Sequence, residues 1–398
     1  MQKRLLVLAA GILQVPVIKK AREMCYYVIA ADGDVNAVGL RYADKAIVAN
    51  ITDEETMLQV ARDKNVDGVI HPCSEVSMSV MGYINDSLGL SGISKSMARR
   101  ATNKYLMREA FAKYGAPSPQ SYCTVDADEA WSIFCEKFDT NAILKPSRNS
   151  GSRGIAKVER SISKEQFLKL YERAYQVSRD KQVLIEQFIE GPEFSVEIIV
   201  WNGGVNVLAV TDKKTTGAPY FVELGHNQPS VFPKDIVEKV KAAAIAGVKA
   251  LELTNCACHA EIKVENGNAY IMEIGARLGG DFISTELTHL STGIDMVAAD
   301  VNVALGIAPD LESKDKKQGA CIRYFCPRPG KLVSIEGIEC LNDERIYLSE
   351  IYCKEGDDIG EVNSSLDRSG HVIVVAETSK EAIEIAEEVI CKIKFEIL

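Results

Sequence analysis

The chain opens on an unbroken apolar run, RLLVLAAG at 4–11. Such a run reads as a parallel strand buried on both faces. A helix is expected through Pro16 to Met24, then a strand in YYVIAADGD that ends at Asp32 and Asp34. KAIVAN is a third strand, DEETMLQVARDKN a capped helix, and VDGVIHP a fourth strand. This alternation predicts a small doubly wound parallel sheet over residues 1–95, whose ligands would lie beyond the carboxyl ends of its strands. Gly11, Asp32 and His71 fall there. A dinucleotide fingerprint needs several spaced glycines after the first strand, and Gly11 stands alone, so NAD binding is excluded. Asp32 and Asp34 read as turn formers.

A helix is expected over Ser96–Tyr114, carrying Lys104 and stopped by Gly115, Pro117 and Pro119. A compact module follows. It has a helix near Asp128–Phe138, the strand AILKPS (142–147), the loop RNSGSRG (148–154) and the strand IAKVE. A helix near Lys164–Arg179 and the strand QVLIEQFI complete it. EFSVEIIVW and GVNVLAVTDKK, joined at Asn202–Gly203–Gly204, mark a hairpin. A long helix (Lys234–Leu251) precedes two further strands, CHAEIKV and YIMEIGAR. The charged stretch ESKDKKQG reads as a linker into a last β-rich domain closed by the helix SKEAIEIAEEVICKI. The expected units are 1–95, 96–310 and 311–398.

Composition narrows the function classes. With 398 residues the chain has room for two or three cores, and a net charge of −10 argues against a nucleic-acid binder. Eleven scattered cysteines do not form a disulfide framework and point to reduced thiols in a cytoplasm. The first apolar run is too short to span a membrane and lacks a signal-peptide layout.

The chemistry gathers around Glu261 and Glu273, with Arg277 four residues on. Paired carboxylates beside an arginine suit Mg²⁺ held against a polyphosphate, because the metal takes hard oxygen ligands and arginine binds phosphoryl oxygens. The alternative is a solvated hairpin face. A two-residue turn at Asn266–Gly267 would pair Glu261 with Met272 and send Glu273 to the opposite face. The metal reading therefore predicts a three-residue loop. Lys145 ends an apolar strand before a loop with Gly151 and Gly154, whose backbone N–H groups suit phosphate oxygens; the alternative is an ordinary glycine loop. In LIEQFIEGPEFSVE, residues 186–189 present strand edges to a base, and Glu193 is an acceptor for ribose hydroxyls or an exposed turn glutamate. Cys256 and Cys258 read as core thiols, since His259 points to the other face.

Taken in order, Lys104, Lys145 with its glycine loop, LIEQFIEGPEFSVE, Glu261 and EIGAR resemble the ATP-grasp superfamily of carboxylate–amine ligases, over nearly the whole chain. The resemblance implies an ATP-grasp fold, α/β and α+β, with a mobile lid at about 122–187 and a C-terminal β-rich domain. It implies that Lys104, Lys145 and the loop residues Ser150, Gly151, Ser152 and Gly154 meet ATP phosphates. Glu186, Gln187 and Ile189 would lie at the adenine, the last two through backbone atoms, and Glu193 at the ribose. Glu261 and Glu273 would bind Mg²⁺, with Mn²⁺ as a substitute, and Arg277 would face the phosphoryl group or the acid. His226 would orient the acid or accept the amine proton, or is a turn histidine. Gly275 departs from the family, which usually has a metal-binding Asn there. ELGHNQPS (223–230) and Arg277–Asp281 look most like the L-amino-acid ligase branch. The purine-biosynthesis ligases, such as phosphoribosylglycinamide synthetase, are similar in architecture, and a non-catalytic ATP-binding module is the third reading. The implied reaction forms an acyl phosphate and ADP, after which an amine displaces phosphate. Small carboxylates and amines are the expected partners, with no nucleic acid or membrane; the oligomeric state is left open, a homodimer being one alternative.

Overall fold

The computed structural model describes residues 2–149, 153–218, 220–313 and 317–398. The first apolar run forms β1 (Arg4–Leu8), followed by β2 (Tyr27–Asp32), β3 (Lys45–Val48) and β4 (Gly68–Ile70). These pair in parallel in the order β3-β2-β1-β4. Leu5, Leu6, Val7 and Leu8 have no exposed surface, which is why the central strand carries no polar alternation. Asp32 accepts the backbone N–H groups of Ala10 (2.7 Å) and Asp34 (2.9 Å), the turn role expected of it. His71 is buried with Nδ1 2.8 Å from the Leu8 carbonyl.

The single helix expected over Ser96–Tyr114 is two, Lys95–Thr102 and Lys104–Tyr114. Between them Asn103 is extended (φ −123°, ψ 110°), and its side chain accepts the Leu106 N–H at 3.0 Å. That is an N-cap, and a new helix starts from it. The restart places Lys104 at the first helical position, with its side chain buried.

β5 (Ser121–Thr124), β6 (Ala142–Pro146), β7 (Ala156–Val158) and β8 (Val183–Gln187) form an antiparallel sheet in the order β5-β8-β6-β7. Helices Ala127–Lys137 and Lys164–Val177 flank it, and Phe134, Phe167 and Tyr171 lie in a core of its own. Gly191, just after this sheet, has φ +105°, and a Cβ there would lie 2.3 Å from the Val264 carbonyl oxygen. Only glycine fits that conformation and that approach.

β9 (Glu193–Trp201), β10 (Gly204–Thr215), β11 (Glu223–Gln228), β12 (Cys256–Glu265) and β13 (Asn268–Gly275) follow. The C-terminal part adds β14 (Gly319–Tyr324), β15 (Gly330–Glu336), β16 (Ile346–Ile351), β17 (Asp358–Ile359), β18 (Gly370–Ala376) and β19 (Lys394–Ile397). The central sheet has eight strands in the order β13-β12-β9-β10-β11-β14-β18-β16, so three C-terminal strands extend the sheet that bears the paired glutamates. β17-β15-β19 form a small separate sheet. One apolar cluster joins Leu6 and Ile84 of the N-terminal part to Phe111, Val196, Val248 and Ile274 around the central sheet. Helix Ser379–Lys392 covers β14 and β18 through Ala382 and Ala386. Among the described residues no helix is long and apolar enough to cross a membrane.

Candidate active site

The loop between β12 and β13 is the two-residue Asn266–Gly267 turn, with φ +51° and +74°, and not the three-residue loop that the metal reading predicts. Positive φ at both central residues is the type I′ pattern that suits a hairpin. The register nevertheless pairs Glu261 with Glu273, because it shifts between Glu261 and Ile262. Ile262 pairs with Ile271, and Met272 is the extra residue on β13. A β-bulge thus does what an odd loop would have done. Met272 and Glu273, neighbours in sequence, both face the same cavity.

That cavity, of about 300 Å³, lies between the β5–β8 sheet and the β12–β13 hairpin. Lys104, Lys145, Gln187, Ile189, Glu193, Glu261, Glu273 and Arg277 all line it. Ser150, Gly151 and Ser152 lie outside the described residues. Gly154 is buried against Val177 and Ala174, where a Cβ would lie 2.4 Å from the Val177 side chain; it serves packing and does not line the cavity. Ile143, Ile155, Phe188 and Met272 add an apolar part to the lining. The Ile189 carbonyl accepts from Lys263 Nζ at 3.0 Å, so that backbone edge is already partly used.

Two assignments shift. Glu186 does not line the cavity: it is fully buried, 2.7 Å from Arg108 Nε and 2.8 Å from Lys145 Nζ. Burial alone would raise its pKa, but Arg108 and Lys145 overcome that and hold it down at about 2. It is the shared counter-charge of Arg108 and Lys145, and it does not reach the cavity where the adenine was expected. His226 is also buried off the cavity wall, with Nε2 3.4 Å from Asp281 and Nδ1 without a hydrogen-bond partner. Asp281 in turn takes both Arg368 nitrogens at 2.8 Å, and Arg368 lies 3.6 Å from the Tyr324 ring centroid. Arg368 and Tyr324 of the C-terminal part thus pack around the His226–Asp281 pair.

The two central carboxylates are each neutralised by a buried lysine. Lys104 Nζ lies 2.7 Å from Glu273, and Lys213 Nζ lies 3.1 Å from Glu261 and 2.7 Å from Glu193. Lys213 holds Glu261 well below the ordinary carboxylate range, against the opposing effect of burial. Among the described residues no three His, Cys, Asp or Glu side chains are arranged as a ready-made metal cage. Opposed hard-oxygen donors that already draw two ammonium groups nonetheless fit a divalent cation once those groups turn elsewhere. Arg277 Nε is buried with no hydrogen-bond partner, and its NH2 group is 3.8 Å from Glu75. Arg277 lines the cavity, where a guanidinium suits an anionic ligand.

Sequence reasoning missed several of these groups. Lys213 sits in the tail of β10, in TDKK, where it looks like a solvated strand end. Glu75 follows β4, at the carboxyl end of the first sheet where a ligand was expected, but no motif marks it. Burial and the nearby Glu273 raise its pKa. His259 lies opposite Gly275, with Nδ1 2.6 Å from the fully buried Glu197. Burial alone would lower its pKa, but Glu197 dominates and raises it to about 9. Cys256 and Cys258, with sulfurs 3.6 Å apart, are the core thiols expected.

Residues 138–286 match the model of the ATP-grasp domain, and residues 323–397 match that of the L-amino acid ligase C-terminal domain 2. The structure is similar to that of an L-amino acid ligase from Bacillus licheniformis, with a TM-score of 0.84, 20% identity, and coverage of 100% of this chain and 99% of that one. It is also similar to phosphoribosylglycinamide synthetase from Anaerococcus prevotii, with a TM-score of 0.79, 24% identity and full coverage of both chains. In sequence, alanine–anticapsin ligase of Bacillus subtilis is 27% identical over 253 residues, which cover 58% of this chain and 53% of that protein. The chain thus spans about half the length of that relative. The fold is therefore that of the ATP-grasp proteins. More particularly, the chain carries an ATP-grasp domain followed by a C-terminal domain of the L-amino acid ligase type.

Proposed function

We propose that the protein is an ATP-dependent ligase that activates a carboxylate as an acyl phosphate and joins it to an amine, releasing ADP and phosphate. The observation that carries this is the bulge-enforced pair Glu261–Glu273, held by lysines, with Arg277 lining the same cavity. In this reading Lys104 and Lys145 bind the phosphates, and Gln187–Ile189 with the apolar part of the lining hold the base. Glu193 takes the ribose, and residues from about 122 to 187 close as a lid. Glu261 and Glu273 hold Mg²⁺ or Mn²⁺, which when bound offsets charge on the transferring phosphoryl group. Arg277 binds the acid, and lid closure keeps water from the acyl phosphate.

An amino acid is our choice of acid. Arg277 offers a cation for a carboxylate, and Glu75, 3.8 Å away, offers an acceptor for an ammonium group. That pairing complements a zwitterion. The amino-acid ligase relatives favour the same class. The test is an ADP and phosphate release screen of the purified chain against paired amino acids, with phosphoribosylamine plus glycine as the competing pair. Release that needs an amino acid and an amine supports the proposal. Release with phosphoribosylamine plus glycine alone would replace it by a purine-type ligase, and ATP binding with no turnover across the screen by a non-catalytic module.

A further inference from the structure

Lys213 touches carboxylates from two different parts of the cavity. Its Nζ is 2.7 Å from Glu193, 3.1 Å from Glu261 and 3.8 Å from Glu223, and its side chain is 4% exposed. It stands directly across from Glu193 in the β9–β10 register, while Glu261 on β12 reaches it from the far side of β9. Lys104 differs, since its only carboxylate partner within ion-pair distance among the described residues is Glu273. On the reading above, Glu193 serves the ribose and Glu261 the metal. One buried cation therefore ties the two subsites together.

A divalent ion arriving alone at Glu261 meets this ammonium a few ångströms off. Lys213 is almost wholly buried, and Glu193 on β9 and Glu223 on β11 already hold it, so it does not retreat into solvent. Like charges that close in a buried site repel strongly. A nucleoside triphosphate removes the obstacle in two ways. Its ribose hydroxyls compete for Glu193, and its phosphates give the ammonium and the metal a common counter-charge.

We propose that Lys213 makes metal binding conditional on nucleotide: in the free protein it occupies Glu261, and it yields that carboxylate only when a triphosphate is present. The inference rests on the assignment of Glu193 and Glu261 made above.

The test uses the full chain without nucleotide. Mn²⁺ is titrated in, and free aquo-Mn²⁺ is read by electron paramagnetic resonance. Wild type is compared with Lys213→Met and with Lys263→Met. Lys263 lines the same cavity but donates to the Ile189 carbonyl, so its loss removes the same charge without releasing Glu261. We expect Lys213→Met to bind Mn²⁺ at least about tenfold more tightly than wild type, and Lys263→Met to stay within about threefold of it. Equal gains in the two variants, or wild-type affinity already matching Lys213→Met, would overturn the proposal. If circular dichroism shows Lys213→Met unfolded, Lys213→Gln takes its place under the same criteria. Nucleotide binding is measured separately, in chelator, with a non-hydrolysable ATP analogue. No binding by wild type there would refute the function proposed above, whereas the nucleotide-free titrations bear on Lys213 alone.

Discussion

Glu186→Gln is the substitution whose consequences the structure fixes most tightly. The carboxylate has no exposed surface and is the counter-charge of both Arg108 and Lys145, which are themselves buried. Glutamine keeps the shape and removes the charge, so two buried cations lose their partner. Glu186 is held down at about 2 from an ordinary 4.5. At about 1.4 kcal/mol per tenfold change, that corresponds to about 3 kcal/mol of folding stability at neutral pH. Breaking a buried pair by removing one partner costs a similar amount, about 3–5 kcal/mol. The sign of the pH dependence follows. A carboxylate depressed in the folded state contributes fully above its unfolded value near 4.5, and the contribution is lost as pH falls toward about 2. Urea unfolding of wild type and variant, followed by circular dichroism at pH 7 and again at steps below 4.5, is the assay. The variant should be less stable by about 3 kcal/mol at pH 7, with the gap narrowing as the solution is acidified. A gap under about 0.5 kcal/mol at pH 7, the level of an ordinary surface substitution, would refute the reasoning. So would a gap that does not change with pH.

Glu273→Gln should leave the protein folded and lower turnover by about a hundredfold or more, since charge stabilisation by a metal is worth several kcal/mol; steady-state ADP release at saturating Mg²⁺ checks this. Glu75→Gln should raise KM for an amino-acid substrate by about tenfold while KM for ATP changes little, the loss being one charge-assisted hydrogen bond; initial rates against each substrate separate the two. Amides of β6 and β7 should exchange more slowly with deuterium when ATP-Mg²⁺ is added, while those of β1–β3 change less, because on the proposed reading the nucleotide bridges the β5–β8 sheet and the hairpin; exchange mass spectrometry with and without nucleotide distinguishes them.

The first sheet was legible because burial on both faces leaves an unbroken apolar run, as at Leu5–Leu8. The bulge was not. Met272 is neither glycine nor proline, and nothing in YIMEIG marks it as the extra residue, so the loop length had to be invoked and was wrong. Asn103 was legible only afterwards, since an asparagine inside a helical pattern reads as a tolerated residue until its side chain is seen capping Leu106. The partners of Glu186 lie 78 and 41 positions away, at Arg108 and Lys145, and a buried charge in a strand does not name them. The convergence of Glu261, Glu273 and Arg277 on one cavity was readable from residue type and spacing, whereas Lys213 and Glu75 enter it through tertiary placement alone.

The central claim is that a substrate carboxylate becomes an acyl phosphate. It is tested most directly by ¹⁸O transfer. An acid–amine pair that stimulates ADP release is supplied with ¹⁸O in the carboxylate of the acid, and the inorganic phosphate formed is analysed by mass spectrometry. Attack of that carboxylate on the γ-phosphoryl group carries a carboxylate oxygen into phosphate when the amine displaces it. One ¹⁸O per phosphate, formed in step with amide product, is the predicted result. Amide product accompanied by unlabelled phosphate would contradict the account.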